Sequence, residues 1–391
     1  MASFDPAAAT AAYMATLSPA GHAKATAYTQ GGHWLLLWSW LAAVIAAWLI
    51  VRSGVLVRTE IALERKKPRL VLVSMVAAAI FTVADFVLEL PWQAYAHWWR
   101  EKSYGLTSQT LSGWFGEQLI GLVIDVVITA LFVAALYALI RRAPRTWWVW
   151  ASGMAAVFVG VLMILGPVFV EPLFNTYTPA PPGPVRDAVV ALAKKAGVPY
   201  DKIYIYNGSK QSNRYTANVS GLFGTARVAM SDVMFTKGAD IAEVRGVVGH
   251  EMGHYKHVHV LWATLAVVVL SSLAFGLIAL LFRSAAAVLG ASVASIADPA
   301  GLPIIMALFA TLSLLATPIT NALTRLAEAD ADAFSLQVAH EPDGMAKSLV
   351  KTIEYRASSP SALEEFLFYD HPSVEHRVRN AMEWKAAHPA N

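Results

Sequence analysis

The chain has 391 residues, of which 57% are hydrophobic and 15% charged, and its mean hydropathy is +0.49. That is too apolar for a soluble domain of this length and calls for several membrane spans. A net charge of only +3, with no basic run interleaved with aromatics, gives no reason to expect a nucleic-acid partner, and the lack of cysteine excludes disulfides, thiolate metal ligands and a cysteine nucleophile.

Residues 1–33 carry only Asp5 and Lys24 as charges and lack the basic start and short apolar core of a cleaved signal, so they read as an N-terminal segment before a retained first span. Residues 34–51 are an uncharged run that as a helix rises about 27 Å, just enough for a hydrocarbon core of about 30 Å. Further spans are predicted at about 70–92, 118–140 and 147–170, the last opening on Trp147, Trp148 and Trp150, which suit an interfacial aromatic belt. Four prolines from Pro179 to Pro184 then end any helix and mark entry into a soluble region. There, 185–196 reads as an amphipathic helix closed by Gly197, and 202–206 and 226–230 as short strands. Two more spans follow, at about 261–282 and 302–319.

Six spans put the N-terminus, region 173–259 and region 321–391 on one side of the bilayer. The predicted division is therefore an N-terminal segment (1–33), a membrane domain in two parts (34–172 and 260–320) and one domain assembled from 173–259 and 321–391. Asp85, Glu89 and Asp125 fall within predicted spans, where charge is costly in lipid. They either face one another, other helices or a water-filled space, or sit near the interface and reach water.

Asp240 to His259 is the stretch that carries chemistry. Asp240 can cap a helix with Glu243 three residues on, and Ile241, Val244 and Val248 follow helical spacing. On such a helix His250 and His254 share one face and can reach one tetrahedral metal, with Glu251 beside its open position. Two histidines leave a catalytic zinc one protein ligand short. Glu328, in the run 324–332 that leaves the last span on the same side, is the strongest candidate for the third. Asp332, one turn on, can accept the other ring proton of either histidine and hold its tautomer. Read alone that acidic run is a solvated helix start; beside the histidine pair the ligand reading prevails. His257, His259 and His376 read as solvated helix-face residues.

The chain resembles the Ste24-type CAAX prenyl endopeptidases, membrane zinc metalloproteases, from about the first span to Arg377. The stretches that carry the resemblance are 90–111, EPLFNTYTP (171–179), 208–232, VVGHEMGHYKHVH (247–259), TRLAEADADAF (324–334) and DHPSVEHR (370–377). The resemblance implies a mainly α fold, a polytopic helical bundle enclosing a chamber, with a zincin-like α+β catalytic domain. It implies one zinc held by His250, His254 and Glu328, Glu251 as general base, Asp332 behind the ligands, and His371 and Arg377 binding or polarising the substrate carbonyl. It also implies the lipid bilayer and a lipidated or hydrophobic peptide as partners. Many members carry Asn-Ala-Tyr before a substrate-binding strand; here Thr216, Ala217 and Asn218 fill those positions, so either Thr216 or Asn218 holds the substrate backbone. An edge strand around 216–220 can add a peptide as a further strand.

Eukaryotic members have one more N-terminal span, so the chain resembles a shorter, bacterial form of the inner membrane. Arg52, Arg58, Arg65, Lys66, Lys67, Arg69, Arg141, Arg142 and Arg145 would place their loops in the cytoplasm and the catalytic domain outside, whereas the resemblance implies a cytoplasmic catalytic domain, and that is the expected orientation. Three other readings are weighed: an intramembrane zinc protease, disfavoured by Arg245 and Lys256 on the motif helix; a quality-control protease without prenyl specificity; and a non-catalytic adaptor with structural zinc.

Overall fold

The computed structural model describes residues 4–221, 226–236, 240–293 and 295–389; residues 222–225 of the quoted stretch 208–232 lie outside these. Six helices are long and apolar enough to cross a membrane: Pro19–Ser53, Leu70–Ser103, Leu111–Arg142, Trp147–Phe174, His259–Leu289 and Pro299–Ala339. Each contains one predicted span and most extend well beyond it, because apolar counting finds only the lipid-solvated stretch whereas a helix runs until something stops it.

The first helix shows this. Ser18 accepts a hydrogen bond from Gly21 N, Pro19 takes the first position, and the helix ends only at Gly54, whose φ of 64° suits glycine. The second continues past Pro91 through a π-helical segment, Ala94–Trp99, and the fourth through another, Gly166–Val170, that contains Pro167. In the fourth the wider turn accommodates the ring of Pro167, which cannot donate an N–H, whereas Pro91 sits in the α-helical stretch just before its π segment. The sixth passes Pro318 without breaking. The boundaries predicted at 33 and 320 therefore fall inside continuous helices. The N-terminal segment is not separate either. Helix Pro6–Met14, capped by Asp5, packs on helix Val374–Ala387, and Tyr13 Oη donates to Asp343 Oδ1 at 2.8 Å.

The bundle core is built from Phe81, Tyr137, Ile140, Trp147, Ile278, Phe282 and Ile304, while Leu280 (75% exposed) and Leu315 (69%) point outward, as lipid-facing residues do. A cavity of about 610 Å³ lies between the first two long helices, lined by Trp34, Trp38, Trp92, Tyr95 and Trp99 among others. Glu89 accepts from Gln93 Nε2 at 3.0 Å, Asp85 is half-buried one turn earlier, and Asp125 is exposed.

The polar region carries a four-stranded sheet of β1 (Tyr177–Pro179), β2 (Ile203–Tyr206), β3 (Ala217–Ser220) and β4 (Arg227–Ser231), in the order β1-β2-β4-β3. Strands β2 and β4 are parallel and the other two pairs antiparallel, so β3 is an edge strand among the described residues. Helix Pro184–Ala196, closed by Gly197 at φ 66°, links β1 to β2. Helix Ile241–Lys256 shares the core with this sheet: its Val244, Val248 and Met252 are buried with Val189, Leu192, Val228 and Met230. Asp240 Oδ1 caps it, accepting from Glu243 N at 2.8 Å.

Candidate active site

Two helices build the site, and small residues let them meet. On Ile241–Lys256, a Cβ added at Gly249 would lie 2.9 Å from Ser335 Oγ, and one at Gly253 would lie 3.0 Å from the Cα of Ala331. Ser335 Oγ donates to Gly246 O at 2.7 Å and ties the same faces together. Close approach follows, and it brings the acidic side chains of Leu302–Ala339 within reach of the motif histidines.

His250 Nε2 lies 3.2 Å from Glu328 Oε2, His254 Nε2 lies 3.3 Å from Glu328 Oε1, and the two Nε2 atoms are 3.1 Å apart. Glu328 is 6% exposed, and its Oε2 is buried without a hydrogen bond of acceptable geometry. Two imidazole nitrogens and a carboxylate converging on one point, with an unsatisfied buried oxygen, are what a bound cation would explain. The donor set fits zinc.

Behind the ligands, Asp332 Oδ1 stands 2.8 Å from His250 Nδ1. Arg377 donates to Asp332 through Nε (2.7 Å to Oδ2) and Nη2 (2.6 Å to Oδ1). Burial works against charge on His250, but the carboxylates of Asp332 and Glu328 beside it outweigh the burial and push the imidazole up to about 9. The same negative surroundings favour a bound cation. Burial raises the Glu251 carboxyl above its ordinary range, with the nearby His250 and His254 pulling it back.

A cleft of about 170 Å³ opens at this point, lined by Thr216, Ala217, His250, Glu251, Arg356 and His371 among others. His371 Nδ1 lies 2.8 Å from Asp370 Oδ1, while its Nε2 lies 3.2 Å from Glu328 Oε2 and 3.3 Å from Arg356 Nη2. Burial lowers its imidazole below the ordinary range.

Some sequence expectations are brought together here and others are not. His250, Glu251, His254, Glu328 and Asp332 converge, and His371 and Arg377 join them. Arg377, expected to polarise the substrate carbonyl, lines the cleft but commits Nε and Nη2 to Asp332. Thr216 and Ala217 border the cleft. Asn218 is not among its lining residues, and its Oδ1 is buried with no hydrogen-bond partner. His376 is exposed as expected. His259, expected to be solvated, is not: its side chain is 13% exposed, and its Nδ1 lies 3.0 Å from that of His254. Arg356, Asp370, Gly249 and Gly253 were missed, since none belongs to a spacing that identifies a site.

This chain is similar to known proteins over most of its length. The model of peptidase family M48 matches residues 179–385, and that of the CAAX prenyl protease N-terminal region, five membrane helices, matches 6–176. The metalloprotease YhfN of Bacillus subtilis is 28% identical over 71% of this chain and 66% of its own length. CAAX prenyl protease 1 homolog of Arabidopsis thaliana is 27% identical over 75% and 69%. CAAX prenyl protease 1 of Saccharomyces cerevisiae is 25% identical over 75% and 68%. The matched segments thus span about two thirds of these relatives. The crystal structure of S. mikatae Ste24p superposes with a TM-score of 0.78 at 20% identity, covering 94% of this chain and 90% of that one, which shows the fold. With one family model covering more than half its length and a second covering the first four of its six candidate membrane spans, the chain belongs to peptidase family M48, as an integral membrane metallopeptidase of Ste24 type.

Proposed function

We propose that this protein is a zinc endopeptidase that cleaves prenylated or other hydrophobic peptides in the cleft beside His250 and Glu251, with 173–259 and 321–391 acting as one catalytic domain. The observation that carries the reading is the convergence of His250, His254 and Glu328 with Glu251 in a cleft bordered by the residues that lead into edge strand β3.

His250, His254 and Glu328 would hold one zinc per chain. Bound there, zinc supplies a Lewis acid that polarises a carbonyl and makes a water acidic. Glu251 takes the proton of the attacking water, and its burial keeps the carboxylate basic enough for that work. Asp332, clamped by Arg377, fixes the ring of His250. His371, anchored on Asp370, and Arg356 stand on the cleft wall where negative charge on the cleaved carbonyl oxygen would need a donor. A peptide can lie along β3 through backbone hydrogen bonds, with Thr216 and Ala217 at the entry to that strand.

The similarity to the CAAX prenyl protease 1 of Saccharomyces cerevisiae and its homolog in Arabidopsis thaliana, together with the apolar spans, supports a lipidated substrate reached from the bilayer. The structural-zinc adaptor reading is disfavoured, since structural sites are usually closed by four protein ligands and three converge here beside an open cleft. We place the protein in a bacterial inner membrane with its catalytic domain facing the cytoplasm. Because the natural chain is free of cysteine, a single cysteine at the exposed Asp201 tests this: labelling by an impermeant maleimide in intact cells would reverse the orientation.

Zinc-loaded protein in detergent, incubated with a farnesylated CAAX peptide and its unprenylated counterpart, tests the activity by mass spectrometry of the products. Cleavage of the farnesylated peptide alone is expected. Cleavage of both would make the enzyme a general membrane-protein protease, and cleavage of neither would overturn the proposal. Glu251→Gln is expected to lower kcat by about 10²–10⁴-fold while zinc stays bound.

A further inference from the structure

The two histidines of the motif differ in what stands behind them. His250 has a carboxylate: Asp332 Oδ1 is 2.8 Å from its Nδ1. Behind His254 stands another imidazole, with His259 Nδ1 3.0 Å from His254 Nδ1 and His259 Nε2 3.0 Å from Asp330 Oδ2. The rings of His254 and His259 meet edge to face, with centroids 5.1 Å apart and planes at 73°.

Proton positions follow from this chain of contacts. His254 turns Nε2 toward Glu328 and His250, so as a ligand it carries its one proton on Nδ1. His259 must then accept at Nδ1, which leaves its own proton on Nε2, directed at Asp330. Each nitrogen has a partner of the right kind only in this arrangement. We propose that His259, held by Asp330, is a positioning residue that fixes the tautomer and ring orientation of the zinc ligand His254.

The backbone serves the same end. Val258 lies in the left-handed region at φ 50°, uncommon for a β-branched residue, and there the chain turns from Ile241–Lys256 into His259–Leu289. That sharp turn folds His259 back beside His254. Asp330, two residues after Glu328 on the sixth long helix, meets the turn from the other side and also accepts from His257 Nδ1. One helix therefore supplies Glu328 to the metal position, Asp332 to His250 and, through His259, Asp330 to His254.

His257, His259 and Asp330 also lie close enough together to hold a metal of their own. The proton count argues against this when His254 is a ligand. Binding a cation through His259 Nε2 would move the proton of His259 to Nδ1, where it would face the Nδ1 proton of His254.

The inference rests on His254 being a zinc ligand, and the experiment separates the two ideas. Full-length protein in detergent is titrated with zinc against a chromophoric chelator, and zinc per chain is measured by elemental analysis. His254→Ala should abolish tight binding; retention would overturn the ligand assignment itself. With that loss established, His259→Ala should weaken zinc binding by about 10–100-fold without changing the stoichiometry. His259→Asn, which places an amide oxygen near the position of Nδ1, should restore most of the affinity. An unchanged dissociation constant in His259→Ala, or equal losses in the alanine and asparagine variants, would overturn the inference. So would a fall from two zinc ions per chain to one with the tighter site intact, which would mark a second metal site.

Discussion

From Leu302 to about Ile319 the sixth long helix presents leucine, isoleucine and alanine to its neighbours and to lipid, with Leu315 69% exposed. From Thr324 to Ser335 the same unbroken backbone buries Glu328, Asp332 and Ser335, at 6%, 5% and 1% exposure. The two stretches differ in what a side chain must satisfy. Facing lipid, a residue needs only to be apolar, because lipid tails solvate one aliphatic chain as well as another. In the polar stretch each group needs a particular partner at a particular distance, because an unpaired buried carboxylate is expensive. Substitutions on the two stretches should therefore differ by orders of magnitude.

The sharpest test of the difference is Glu328→Gln. It keeps the shape but removes the charge between His250 and His254, and zinc affinity should fall by more than the roughly 10–100-fold cost of losing an outer partner. Affinity equal to wild type by chelator competition would show that the polar stretch tolerates change as the lipid-facing one does. Asp332→Asn should fall within that 10–100-fold range, because the ring of His250 keeps a partner but loses a charged one, and Arg377 loses the nearer of its two carboxylates.

Packing gives a third test. Gly253→Ala places a Cβ 3.0 Å from the backbone of Ala331, so the helices must separate by a few tenths of an ångström. A destabilisation of about 1–3 kcal/mol is expected, together with weaker zinc binding, since the same contact sets the reach of Glu328. Thermal unfolding with and without zinc measures both, and a variant as stable and as tightly zinc-loaded as wild type would remove close approach as the device that builds the site. At the small end, Leu315→Ala should change stability by no more than about 0.5 kcal/mol. A larger loss would mean that this face packs on protein rather than on lipid.

Much of the molecule was legible in short windows of sequence. Apolar runs longer than a bilayer located the six spans, the prolines at 179–184 marked the exit from the membrane, and Asp240 with Glu243 marked the start of the motif helix. Histidines four apart placed two nitrogens on one face. Glu328 and Asp332 were legible as candidates only because an acidic run emerges from the last span on the same side as the motif. His371 and Arg377 came from family resemblance, and the role of Arg377 shifted once its guanidinium was seen on Asp332.

What the sequence determined by itself was every feature set by neighbours along the chain: periodicity, caps, the histidine pair and the hydrophobic length of each span. The tertiary structure alone decided which distant groups meet. His250 and Asp332 are 82 residues apart, and nothing within either window says that they are partners. Glycine is a poor helix former, and what Gly249 and Gly253 do is set by Ser335 and Ala331, which pack against them from a distant helix. His259 read as a solvated helix-face residue, and only the turn at Val258 aims it at His254. Local order follows from torsional preference and side-chain spacing over one or two turns, whereas a site depends on how closely helices far apart in sequence can approach.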